Sequence, residues 1–194
     1  MKLAKALWSL GSLLVNGTII VYIILSSKAP ADIEARFAYI NENWNAYAIH
    51  WKAEFLLMTM VAIGAFYFAA KSKKISWSLI TVGQLINLST YPLMLGGYKN
   101  TPVELAEMIN QIATVTFIFG NLIFLGGLLV LYLKDDLLRP WLKNTAIILS
   151  GIEVIVFLLV FTEVITWKQS MIAAPLANIL YLINAYYGLK IKFD

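Results

Sequence analysis

The sequence predicts an all-α polytopic membrane protein: a six-transmembrane-helix bundle with both termini cytoplasmic and an amphipathic helix on the outer surface in its first loop. Three observations carry this reading. Hydrophobic residues make up 60% of the chain and charged residues 13%, where soluble domains hold roughly 45–50% and about 25%; mean hydropathy is +0.76. The apolar residues fall into six runs, each near the ~20 residues that cross ~30 Å of hydrocarbon. The basic residues gather at alternate ends of those runs, as the positive-inside rule requires.

The expected spans are residues 4–26, 51–70, 76–96, 105–133, 142–166 and 171–189. The first follows Lys2 and Lys5 and is longer than the ~7–15-residue apolar core of a signal peptide, so it reads as a span. Residues 30–48 form the outer-surface helix: Ile33, Phe37, Ile40, Trp44 and Tyr47 recur at helical spacing, with Asp32, Glu34, Glu42 and Asn45 elsewhere. This helix either caps the bundle or acts as a lid over a binding site. Span three closes on Thr90-Tyr91-Pro92 and Gly96-Gly97, a proline kink and a flexible end. Thr101-Pro102-Val103-Glu104 reads as a capping box with proline in the first helical position, so span four starts above the membrane surface. Asp135-Asp136 and Arg139-Pro140 make the turn into span five. Gly120, Gly126 and Gly127 permit close helix approach.

Lys2, Lys5, Lys71, Lys73, Lys74, Lys134, Arg139, Lys143, Lys190 and Lys192 share one side, leaving Lys28, Arg36, Lys52, Lys99 and Lys168 on the other. The richer side is expected to be cytoplasmic, which places the chain in the inner (plasma) membrane as one membrane-embedded domain, 1–194. The net charge of +4 therefore serves topology and does not indicate nucleic acid. Without cysteine, and with His50 as the one histidine, disulfides, thiolate chemistry and multi-histidine metal sites are excluded within one chain. No nucleotide-binding motif is present, and no cofactor or metal is expected.

Function is sought in polar residues at membrane depth, where a charged group costs at least about 2.5–3.5 kcal/mol. Glu153 lies ten residues beyond Lys143, ~15 Å inward, among Ile152, Val154, Ile155, Val156 and Phe157. It is expected to be carried as a neutral acid unless a cation or water reaches it. Asn16, Asn87, Asn121 and Asn178 reach similar depths, and stripes such as Gln84 with Asn87 and Asn178 with Tyr181 turn their faces inward. Each asparagine alone is most simply interhelical glue. Together with Glu153 and Tyr181, the four asparagines are the candidate ligand-binding floor. A second set near the outer surface, His50, Glu54, Gln111, Glu163 and Lys168, is the candidate rim. His50 and Glu54 share a face at i, i+4. Metal binding and acid–base chemistry by His50, Glu54 and Glu163 are weighed against a hydrated mouth in which Lys168 pairs with Glu163.

With its first span, structured outer loop and Tyr47-Ala48-Ile49-His50-Trp51-Lys52-Ala53-Glu54-Phe55, the layout resembles bacterial six-span membrane proteins grouped as a domain of unknown function. The resemblance implies a bacterial inner-membrane location and carries no catalytic residue.

Three functions follow as expectations. The first is binding or transport of a small or lipophilic molecule in an outward-facing intramembrane pocket floored by Glu153. The second is a membrane enzyme acting on a lipid or isoprenoid through His50, Glu54 and Glu163. The third is a structural or assembly subunit, with a second copy or another membrane protein as partner. In all three the lipid bilayer is the surrounding medium.

Overall fold

The computed structural model describes residues 1–192, and every regular element among them is helical: α1 Lys2–Lys28, α2 Ile33–Glu42, α3 Trp44–Ser72, α4 Ile75–Leu88, α5 Thr90–Gly97, α6 Val103–Lys134, α7 Pro140–Phe161, the short α8 Trp167–Ser170, a 3-10 turn Met171–Ala173, and α9 Ala174–Lys190. Five helices are long and apolar enough to cross a membrane: α1, α3, α6, α7 and the stretch Trp167–Lys190. Their outward faces carry exposed large apolar side chains, among them Leu10, Leu14, Ile24, Phe66, Val115, Ile148 and Ile155. Such a belt has no place in water and fits a hydrocarbon solvent. The inward stripe of α1, by contrast, is Ala4, Trp8, Ser12, Val15 and Thr18, all buried.

The helices pack as a ring in which α1 meets α3, α3 meets α4, α4 meets α6, α6 meets α7, α7 meets α9, and α9 returns to α1. Small residues set the close pairs. A Cβ on Gly64 of α3 would lie 2.8 Å from Trp8 Cβ and 3.0 Å from the Ala4 carbonyl. Gly127 of α6 is equally confined, its Cβ position 2.8 Å from Ile80 N on α4, and Gly120 sits against Asn87. Gly126, expected to share this role, faces open space instead.

Several expected boundaries shift. The outer-surface helix is shorter than 30–48: it breaks at Asn43, and Trp44 and Tyr47 belong to α3, which runs 29 residues, ~43 Å. Phe37 and Ile40 of α2 are buried in a cluster with Tyr47, Trp51, Tyr91, Tyr98 and Ala106, and Asn41 Oδ1 accepts from the Asn100 N–H at 2.8 Å. Burial pushes the Tyr98 phenol above its ordinary value, leaving it a neutral donor to Asn110 Oδ1 at 2.9 Å.

The third apolar run is two helices. Pro92 cannot donate to the carbonyl four residues back, at Leu88, and the helix breaks there. Ser89 and Thr90 hydroxyls then donate to the carbonyls of Ile86 and Asn87, each at 2.7 Å. The proposed capping box at Thr101 does not form. Pro102 itself occupies the cap position without a side-chain bond, because Thr101 Oγ1 turns back to Lys99 O at 3.3 Å. A capping box is found at Thr166 and Gln169, so span five ends earlier than residue 166, at Phe161.

Candidate functional site

The two ends of the ring are filled differently. Toward the end that holds Lys71, Lys74 and Lys192, aromatic side chains close the interior. Trp8 packs edge-on against Trp77 with centroids 5.1 Å apart, Phe68 lies 4.8 Å from Trp77, and Tyr187 meets Tyr132 at 5.7 Å. Asn184 ties these together: its carbonyl accepts from Trp8 Nε1 at 2.8 Å and its Oδ1 accepts from the Tyr132 hydroxyl. The mouth at this end is a cleft of about 230 Å³ bordered by the three lysines and Asp135. Its Lys74 already pairs with Asp135 at 3.0 Å and is largely exposed, the ordinary state of a solvated helix end.

Toward the opposite end the interior holds a cavity of about 150 Å³. Every helix of the ring except α4 contributes: Ile19 and Tyr22 from α1, Glu54 and Met58 from α3, Phe117 and Asn121 from α6, Glu153 and Phe157 from α7, Trp167 from α8 and Tyr181 from α9. The remaining lining is mainly aliphatic, and among the described residues it includes no lysine or arginine. Phe117, Phe157 and Trp167 form one wall, with ring centroids 5.6–6.2 Å apart. Phe124 stacks on Tyr181 at 6.1 Å.

Helix geometry aims the polar groups. Glu153 stands on the buried face of α7 with Ala146, Leu149, Ser150 and Val160, and Phe157 follows it by one turn on the same side. Glu153 is 4% exposed, and its Oε1 has no hydrogen-bond partner. Asn121, Tyr181 and Glu54, by contrast, are engaged. Asn121 Nδ2 donates to Asn87 Oδ1 at 3.3 Å and to Phe117 O at 2.9 Å, while the Tyr181 hydroxyl reaches Met58 Sδ at 3.7 Å. Glu54 accepts from Thr18 Oγ1 at 3.4 Å, lies 3.4 Å from His50 Nε2, and is faced by the Tyr91 hydroxyl. The His50–Glu54 contact has ion-pair distance without hydrogen-bond alignment, since His50 Nε2 remains unpartnered; we read it as proximity. The His50 ring stacks on Tyr22 at 5.9 Å.

Of the expected floor, the structure brings Glu153, Asn121 and Tyr181 to the cavity. Asn87 stands one layer behind, fully buried against Asn121. Asn16 and Asn178 are half-buried and off the wall; Asn16 spends its amide on the carbonyls of Ser12 and Leu13, both at 3.1 Å. Of the expected rim, Glu54 lines the cavity and His50 sits beside it. Gln111, Glu163 and Lys168 are exposed and do not line it. Glu163 lies in the turn after α7, with φ at 59°, and no ion pair joins it to Lys168 among the described residues. Nor do three acidic or histidine side chains converge there as a metal site needs. The α2 helix contributes nothing to the lining, so it caps the aromatic cluster of Tyr91 and Tyr98 and is no lid over this cavity. Residues 167–177 occupy that place.

Sequence reasoning passed over Phe117, Phe157 and Trp167. For Trp167 the Thr166–Gln169 spacing is the signal that a helix starts there and turns its first residues inward. Gln84 is wholly buried on α4 with both amide atoms unpartnered, beside Tyr181. No protein-family model, curated protein or solved structure matches the chain.

Proposed function

We propose that the chain is an integral membrane protein that binds a small lipophilic molecule in this cavity, with Glu153 as the polar contact at its floor. The observation that carries the reading is a cavity in the middle of the ring where, among the described residues, the one unpartnered buried polar lining atom belongs to an acid. Helix-packing seams are normally filled to the density of organic crystals, and buried polar groups are normally paired. A void and an unpaired carboxyl at one spot fit a site whose ligand supplies both. At about 150 Å³, the space suits a benzene-sized group and is smaller than a typical drug-sized pocket. Movement of the ligand across the membrane is the natural extension of this reading.

Topology belongs to the same proposal. The broken helix α4–α5 spans residues 75–97, ~34 Å end to end, and we count it as the third of six crossings. The ten basic residues then lie at the cytoplasmic side of the inner membrane, with both termini there, and the cavity opens to the outside. The cysteine-free chain makes this testable with single cysteines. Asn100→Cys should react with an impermeant maleimide in intact cells, and Lys73→Cys only after permeabilisation. The reverse pattern would invert the topology.

The binding reading is tested by filling the space. Ala177 lines the cavity, and Ala177→Phe should abolish the saturable binding of benzyl alcohol measured by calorimetry in micelles. Undiminished binding would place the ligand elsewhere. An acid–base enzyme has less support, because Glu163 stands apart from His50 and Glu54. An assembly subunit has less support because its seam would be closed.

A further inference from the structure

Building on the binding site proposed above, we infer that its ligand class is a small lipophilic ammonium ion, held by Glu153 as counter-ion and by the aromatic wall of Phe117, Phe157 and Trp167. Among the described residues two carboxyl groups, Glu54 and Glu153, face the cavity, and no lysine or arginine does. An anion entering it would meet acids and no cation. A neutral lipophile without a donor would leave Glu153 Oε1 as it stands, buried and unpartnered, and one with a hydroxyl would partner that oxygen without balancing the charge of a carboxylate.

Glu54 has His50, Thr18 and Tyr91 around it, so the acid with free capacity is Glu153. A metal ion is a poor fit. Magnesium and calcium take six or more oxygen ligands, and no group of three acidic or histidine side chains gathers among the described residues. An organic ammonium ion asks for what is present: one carboxylate for the N–H donors, aromatic faces for the positive charge, and apolar walls for the carbon body. Phe157 lies one helical turn from Glu153, so ring and carboxyl face the same volume. The volume of about 150 Å³ limits the body to about one aromatic ring or a short branched chain.

The test compares two probes of nearly equal shape, benzylammonium and benzyl alcohol, on the purified full-length protein in neutral detergent at neutral pH. Empty micelles serve as the blank and titration calorimetry as the readout. The ammonium ion should bind about tenfold tighter than the alcohol. In Glu153→Gln this preference should vanish, the ammonium ion binding no tighter than the alcohol in the same variant. Equal affinities for the two probes in the wild-type protein would overturn the cation inference while leaving the binding pocket intact. No saturable binding of either probe would overturn the pocket itself. A preference that survives Glu153→Gln would overturn the choice of counter-ion. The wild-type comparison needs no variant, so it decides even where a substitution prevents folding.

Discussion

One ring of helices holds two interiors. At the lysine-rich end Trp8, Phe68, Trp77, Tyr132 and Tyr187 are each 2% exposed or less, and Asn184 gives both its carbonyl oxygens to neighbours. At the other end Glu153 is as thoroughly covered yet keeps an oxygen unpartnered beside a void. In lipid the hydrophobic effect does not press helices together, so the first interior owes its cohesion to contact density, with the two oxygens of Asn184 as hydrogen-bonded ties although its Nδ2 has no partner. The second forgoes that density in one place, beside an acid with a free oxygen. The difference shows where the molecule has kept space and polarity at the expense of cohesion, and sites of function are where such departures are expected.

The contrast is sharpest under matched truncations. Trp8→Ala should destabilise by about 3–5 kcal/mol, because Phe68, Trp77 and the Asn184 carbonyl all lose a partner. Trp167→Ala, removing the same side chain from a half-buried position on the cavity wall, should cost about 1 kcal/mol. Equal losses in a reversible unfolding assay in micelles would erase the distinction between the two ends. Asn184→Leu falls between them. It strands the Tyr132 hydroxyl in a dry core, at a cost of about 1–3 kcal/mol, and a melting temperature unchanged from the wild type would show that the hydroxyl finds another acceptor.

In the open half the sign should reverse. Glu153→Leu removes a buried acid with a free oxygen and places apolar atoms against the cavity. It should raise stability by about 1 kcal/mol while removing ammonium binding. A destabilised Glu153→Leu protein would mean that the carboxyl is a structural tie and that the void is incidental.

How much of this was legible beforehand depended on the range of the interaction. The long apolar runs and their basic ends are local properties, and α1, α3, α6 and α7 follow from them. Glu153 could be found because depth along a helix is counted in residues, and its isolation among Ile152, Val154 and Ile155 is visible in the sequence. Rotation about the helix axis is not so readily counted. Asn16, Asn121 and Asn178 lie at comparable depths, yet only Asn121 faces the cavity, because facing is decided by which helices neighbour which. The break at Ser89 was legible in kind from Pro92, while its position one turn upstream follows from the lost bond to Leu88. The Thr101 cap failed because two neighbouring signals competed: Pro102 took the boundary and the hydroxyl turned to Lys99.

The smallest expected effect belongs to a second acid just before α7. Asp136 lies in the turn between α6 and α7, fully in water, and accepts from Lys143 Nζ at 2.6 Å. That hydrogen bond, with the charge of Lys143, holds the Asp136 carboxyl below its ordinary value. A carboxyl lowered on folding contributes stability above its unfolded value of about 3.9, and this is lost as pH falls through the lower folded value. Between pH 5 and 8 the contribution should therefore be flat. Because Asp136 is exposed, solvent and salt screen the pair, so Asp136→Asn should leave the melting temperature nearly unchanged at neutral pH. Its difference from the wild type should shrink further below pH 4, where the wild-type aspartate also loses its charge. A loss comparable to that of Asn184→Leu would mean that the α6–α7 turn helps to hold the packed half together, and that the boundary between the two interiors extends to the surface.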